Sequence, residues 1–292
     1  MRHVSEIKIP ARAAKVPGPQ GLERHVQILE RDDLQATDVL AVAEGHALAV
    51  VVHDYYSKGA CDVMATRLLG APSLWSSYPT GSGAEHIGTS GGALFNCVGD
   101  ELSPDCREYF EKAPGRNRAL RAVLAPWTHP ADRVRIEMDN EWPAGATLLR
   151  VDGGPSFYGL CRLVRAGGGI EPHTDRADWD LPCAETAEFR AQLSINVYLS
   201  QAEQGGDLEL WDMEVPEKSD YDALRSRKHS YALDRDLLPE PTETVSIEPG
   251  ALLIAAASKP HAVTPCAGAG QRLSVSGFLG YSGPHAPLRA FS

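Results

Sequence analysis

The chain has 292 residues, room for one large domain, and 43% of them are hydrophobic, enough for a real core. A net charge of −11 excludes the broad basic surface that nucleic acids require, although a local cluster of arginines can still meet a small anion. The six cysteines (Cys61, Cys97, Cys106, Cys161, Cys183, Cys266) form no CxxC pair, and no apolar run reaches membrane-spanning or signal-peptide form. Buried free thiols in a soluble cytoplasmic protein are therefore expected.

Residues 1–25 mix Pro, Gly, Lys and Arg without periodicity and read as an arm. The Val-rich run at 47–52 predicts a buried strand. Ser57 as N-cap and Gly70 as stop predict a helix between them, with Ala60, Val63, Met64 and Leu68 on its buried face. Residues 76–100 are rich in Gly, Ser and Thr, the mark of a long functional or disordered loop. They lack the GxxxxGK[ST] pattern of a phosphate cradle. Ser103-Pro104-Asp105 supplies a cap, a proline at the first helical position and an acid in the first turn. Pro114-Gly115 is expected to end that helix, with a second running through Leu120, Val123 and Leu124. A third is expected from near Thr128, carrying Val134, Met138 and Trp142.

The period changes after residue 144. Apolar and β-branched runs at 147–151, 157–164, 192–199, 207–211, 244–247, 251–255, 261–264 and 273–279 alternate with turn signals such as Gly205-Gly206 and Pro249-Gly250. Many short strands so punctuated indicate a sandwich, jelly roll or barrel rather than a βαβ sheet. The expected plan is one α+β domain over 1–292, in which a largely helical part (1–144) packs on a β core (145–282). The polar stretch 213–243 reads as an insertion. It and residues 76–100 are expected to flank the mouth of the core and to act as lids.

Chemistry concentrates in Ile170-Glu171-Pro172-His173-Thr174-Asp175. In a strand, His173 and Asp175 project to one face. With a second imidazole they form the two-His-one-carboxylate triad that leaves open positions and suits non-haem Fe(II). His261 is the candidate. An HxD pattern alone is short and common, but Arg272 and Ser274 follow, two apart on one strand face. The arginine offers a planar fork to a carboxylate and the hydroxyl can support the same group. A structural zinc site would favour four closed ligands with thiolates, and no cysteine is suitably paired.

The order HxD, long gap, His, Arg-x-Ser resembles the iron(II)- and 2-oxoglutarate-dependent oxygenases over about residues 145–282. Three phrases, at 192–199 (QLSINVYL), 205–208 (GGDL) and 272–278 (RLSVSGF), are similar to a bacterial subgroup acting on free or N-substituted amino acids. That subgroup contains carrier-independent halogenases and hydroxylases. The resemblance implies a double-stranded β-helix (jelly-roll, cupin-like) core. It implies Fe(II) on His173, Asp175 and His261, and 2-oxoglutarate held by Arg272 with help from Ser274. It also implies O2 as co-reactant, with 2-oxoglutarate decarboxylated to succinate and CO2. Halogenases of this superfamily carry Gly or Ala where this chain has Asp175, so hydroxylation of a small polar metabolite is the expected outcome. Tyr158 is a further candidate for 2-oxoglutarate. Arg162, Arg165, Asp178 and Trp179 are candidates for substrate; the two arginines are three apart, so at most one faces the interior. The same chemistry on a nucleotide, or a non-catalytic cupin-like metal-binding protein, are the alternatives. The expected partner is a small molecule, with neither nucleic acid nor membrane.

Overall fold

The computed structural model describes residues 27–77, 86–97, 103–229 and 231–292; the arm at 1–25 and the Gly-rich tetrapeptide at 80–83 lie outside them. The elements in chain order are β1 (Gln27–Arg31), α1 (Ala36–Ala43), β2 (Ala47–Val52), α2 (Lys58–Leu69), β3 (Trp75–Ser77), β4 (Ile87–Ser90), α3 (Pro104–Leu124) and α4 (Pro130–Glu141). Next come β5 (Ala146–Leu148), β6 (Arg150–Val151), β7 (Gly154–Pro155), β8 (Leu160–Val164), β9 (Ile170–His173), α5 (Ala177–Asp180), α6 (Ala184–Ala187) and β10 (Ala191–Gln204). The chain ends with β11 (Leu208–Leu210), α7 (Lys218–Ala223), β12 (Glu243–Val245), β13 (Leu252–Ala256), β14 (His261–Val263), β15 (Ala267–Tyr281) and β16 (Leu288–Phe291).

Eight strands form the jelly roll. One sheet contains β13-β10-β15-β8 in that order, and the other is β12-β11-β14-β9. Except for β11 and β12, strands consecutive in sequence among these eight alternate between sheets, and the β9–β14 pairing brings His173 and His261 together from 88 positions apart. The larger sheet is extended by β2 and β1 on one edge and by β4 and β3 on the other, with β16 and β5 also joined to it.

Alternation along the strands of the large sheet sorts its two faces. Leu193, Ile195 and Val197 of β10, and Leu273, Val275 and Leu279 of β15, pack with α2, α3 and α4 in the main core. Opposite faces of β13, β2 and the small sheet enclose a second apolar cluster that includes Leu253, Ala255, Leu208, Leu210 and Val263. Beyond it, the space between the sheets turns polar.

Three expectations need correction. Pro114 does not end a helix: α3 runs unbroken from Pro104 to Leu124. A proline removes one hydrogen bond, but burial of Tyr109 and Ala113 before it and Leu120 and Leu124 after it holds one continuous face. Val63 is 40% exposed, because α2 turns Cys61 and Ala65 inward beside Ala60, Met64 and Leu68. Residues 76–100 are not simply a loop, since β3 and β4 pair with each other and β4 pairs with β8. The partner strand orders a stretch whose own composition is poor in strand formers. Ser57 caps α2 as expected, accepting from the Ala60 amide at 3.4 Å.

Candidate active site

His173 ends β9 and pairs directly across the small sheet with His261, which begins β14. Their rings lie 4.3 Å apart. Asp175 follows β9, its amide donating to the Ala257 carbonyl at 2.9 Å, which fixes the carboxylate beside the two imidazoles. Asp175 Oδ2 is 3.2 Å from His261 Nε2 and 3.8 Å from His173 Nε2. One ligand atom from each residue falls within 4.8 Å of the other two, the spacing of donors around one ion.

The tautomers suit a metal. His173 Nδ1 meets the Glu171 carbonyl at 2.8 Å and His261 Nδ1 meets the Lys259 carbonyl at 3.0 Å. A carbonyl can only accept, so each Nδ1 donates to its carbonyl and each Nε2 is turned toward Asp175. Burial, with the neighbouring His261 ring, lowers His173 to about 4, so it is neutral at ordinary pH. Burial would raise Asp175, but the two imidazoles and Arg162 outweigh it and hold this carboxyl at about 2. One carboxylate beside two imidazoles is the donor set that fits a divalent transition metal with open positions.

The triad opens into a cavity of about 400 Å³ between the sheets. Arg272 lines it and is only 3% exposed. Its Nη2 donates to the Tyr198 hydroxyl at 3.2 Å and its guanidinium lies 4.9 Å from that ring's centre. Among the described residues, Nε and Nη1 are buried with no partner. A guanidinium with two unmade bonds in a dry site is costly unless an anion completes it. A carboxylate is an anion that would meet these donors.

The remaining candidates divide. Arg162 of β8 lines the cavity with its Nε buried and unpartnered, whereas Arg165 is exposed at the end of the strand. Trp179 lines the cavity; Asp178 does not, being engaged by Arg176. Ser274 is fully buried but stands behind the wall, its hydroxyl 3.2 Å from that of Ser276. It reaches the cavity only through Ser276, which donates to Asn196 Oδ1 at 2.7 Å. Tyr158 lies on the other side of the large sheet: a Cβ on Gly277 would meet its ring at 2.6 Å, and its carbonyl accepts from Arg121 of α3. That side holds the helices, so Tyr158 packs in the core and does not line the cavity.

Sequence reasoning passed over Asn196, Ser276, Asp180, Tyr221 and Tyr231, all on the cavity wall. Asn196 and Ser276 carried a signal, since polar residues alternate with apolar ones along β10 and β15 where both faces are buried. The 213–243 insertion does form part of the cavity, through Lys218, Tyr221 and Tyr231, and Phe95 contributes from the Gly-rich side. Burial and the nearby Asp175 raise Asp180 to about 7, against the pull of Lys218. Among the described residues, no helix is long and apolar enough to cross a membrane.

The family model described as carrier-protein-independent halogenase WelO5 matches residues 29–292. No curated protein matches the chain. Among solved structures, the chain is similar to an N-substituted L-amino acid dioxygenase from Burkholderia ambifaria AMMD, at 19% identity over 88% of this chain and 91% of that one, with a TM-score of 0.58. The same dioxygenase in complex with alpha-KG gives 19% identity, the same coverage and a TM-score of 0.57. At that identity the likeness is one of fold. The match over nearly the whole described chain decides the matter: this protein belongs to the WelO5 family of carrier-protein-independent halogenases, within the iron(II)- and 2-oxoglutarate-dependent oxygenase enzymes.

Proposed function

We propose that this chain is a hydroxylase rather than a halogenase, acting on an unactivated C–H bond of a small polar metabolite, most simply a free or N-substituted amino acid. The observation that carries the reading is Asp175, whose carboxylate stands 3.2 Å from His261 Nε2. Where a halogenase leaves room for a halide, this chain has an anionic ligand.

In this reading His173, Asp175 and His261 hold Fe(II), and Arg272 pairs with the distal carboxylate of 2-oxoglutarate. When bound, the iron and 2-oxoglutarate supply the oxidising chemistry, consuming O2 and releasing succinate and CO2. The protein's part is orientation and exclusion of water. The Glu171 and Lys259 carbonyls fix which imidazole nitrogen faces the metal. Tyr198 steadies the Arg272 guanidinium through Nη2, leaving Nε and Nη1 as donors for the carboxylate. Arg162 meets the anionic end of the substrate, and Trp179 and Tyr221, edge to face at 5.9 Å, wall the cavity against solvent.

The test is succinate release with Fe(II), 2-oxoglutarate and O2 across a panel of free and N-substituted amino acids, with product masses read in the presence of chloride. Stimulated succinate with a gain of one oxygen supports hydroxylation; a chlorinated product overturns it. Asp175→Gly should abolish the oxygen transfer, since it removes one ligand and one charge. Persistence of near-parental hydroxylation in that variant would rule out Asp175 as a ligand.

A further inference from the structure

The short helix α5 carries two acids two residues apart, and the fold treats them differently. Asp178 is closed off: Arg176 donates from Nε to Oδ1 at 2.9 Å and from Nη2 to Oδ2 at 2.7 Å. The same guanidinium lies 4.3 Å from the centre of the Trp179 ring and reaches the Val215 carbonyl, so it is fully committed. Asp180, the last residue of α5, instead forms part of the cavity wall with Trp179, Lys218 and Tyr221. Among the described residues its carboxylate takes no hydrogen bond and no ion pair. Lys218 attracts it from a distance while Asp175 and Asp178 repel it. A half-buried acceptor with no donor costs desolvation free energy that a ligand carrying a donor would recover.

The other charges of the site say what kind of ligand that is. Arg272 is assigned to the cosubstrate and Arg176 to Asp178. Arg225 pairs with Asp222 at 3.5 Å and Lys218 faces Asp180, so among the cavity's arginines Arg162 on β8, with a buried Nε that has no partner among the described residues, is the pole for a substrate anion. Asp180 stands on a different wall of the same cavity as an acceptor. A molecule that satisfies both presents an anionic group at one end and a hydrogen-bond donor, such as an N–H, at another.

We propose that Asp180 selects substrates for a nitrogen-bound hydrogen, its carboxylate accepting from a substrate ammonium or amide N–H while Arg162 holds the substrate's anionic end. This rests on the oxygenase reading of the cavity and adds to it the residue that discriminates between nitrogen-bearing and nitrogen-free substrates. The amide of an N-acylated acid keeps one such hydrogen, so both free and N-substituted acids satisfy the site. A plain carboxylic acid of the same carbon skeleton leaves Asp180 unmatched.

The full chain loaded with Mn(II) and 2-oxoglutarate, which cannot turn over, is titrated calorimetrically with L-leucine, N-acetyl-L-leucine and isocaproate. Isocaproate keeps the carboxylate and the branched chain and lacks nitrogen. The parent should bind at least one nitrogen-bearing probe about 10–100-fold tighter than isocaproate, the value of a hydrogen bond to a charged group. Asp180→Ala should bring that ratio to near one while leaving isocaproate binding close to parental. Asp180→Asn, which keeps an acceptor and the shape but not the charge, should weaken leucine more than its N-acetyl derivative. Equal affinity of the parent for nitrogen-bearing and nitrogen-free probes, or a ratio that survives Asp180→Ala, overturns the proposal. The preceding 2-oxoglutarate titration keeps the two readings apart. If the parent does not bind 2-oxoglutarate, the oxygenase reading fails; if it does and the ratio is unmoved, only the Asp180 assignment falls.

Discussion

On the helix-facing side of β15, Leu273, Val275 and Leu279 are buried with α2, α3 and α4, while on the opposite side Arg272, Ser274 and Ser276 of the same strand line or back the cavity. Each face has an arginine to place. Toward the helices, Arg121 uses every edge of its guanidinium: Asp132 accepts from Nε and Nη2 at 2.8 and 2.6 Å, and Asn117 and the Tyr158 carbonyl accept the rest. Toward the cavity, Arg272 has one partner and two buried nitrogens with none. The first guanidinium is saturated by the protein itself; the second is completed only by something the protein binds. Among the described residues the helix side also keeps two buried groups without partners, the Tyr158 hydroxyl and the ring of His129. Burial lowers His129 to about 3, so it stays neutral and escapes the penalty of an unpaired charge.

The contrast can be broken one arginine at a time. The largest effect is expected at Arg272. Its removal leaves a desolvated carboxylate of 2-oxoglutarate unpaired, which costs about 3–5 kcal/mol, roughly two to three orders of magnitude in affinity. Fe(II) affinity should be nearly unchanged, because the arginine is not a ligand. Thermal stability should not fall, because the ligand-free protein loses only an incompletely satisfied charge. Arg272→Lys should recover part of the affinity, since an ammonium lacks the planar fork. Calorimetric 2-oxoglutarate titration and a melting curve on each variant check both halves.

Arg121→Ala should show the reverse. It breaks a partly exposed ion pair and hydrogen bonds worth about 1.5–3 kcal/mol, lowering the melting temperature by about 2–4 °C per kcal/mol. Affinity for 2-oxoglutarate should stay parental. A variant that melts normally and binds 2-oxoglutarate poorly would erase the distinction between the faces. Ser274→Ala should have the smallest effect, about 0.5–1.5 kcal/mol in 2-oxoglutarate binding, because its hydroxyl acts through Ser276 and Asn196. A loss as large as that of Arg272→Ala would mean the hydroxyl reaches the carboxylate directly.

How far these features were legible follows from how local their causes are. The strands of the core could be read because alternation such as Arg272-Leu273-Ser274-Val275 is set by two faces of one strand. The meeting of His173 with His261 could be expected from the chemistry of the triad and from the resemblance, since no local pattern fixes which strands become neighbours. Pro114-Gly115 misled because helix punctuation is a local preference and the burial of Tyr109 and Leu120 is not. β4 escaped notice because Ile87-Gly88-Thr89-Ser90 owes its pairing to β8 rather than to its own residues. Of the two acids in α5, Asp178 and Asp180 look alike in sequence; only the position of Arg176 separates the paired one from the open one.

The central claim is that His173, Asp175 and His261 bring Fe(II) and 2-oxoglutarate together, and it is tested most directly by an anaerobic titration. Protein loaded with Fe(II) is titrated with 2-oxoglutarate and followed by the visible charge-transfer absorption of an iron-bound 2-oxo acid, the parent beside His261→Ala. The parent should develop a saturable absorption at one 2-oxoglutarate per chain that requires Fe(II), and His261→Ala should develop none. Absence of the signal from the parent, or an equal signal from the variant, would contradict the account.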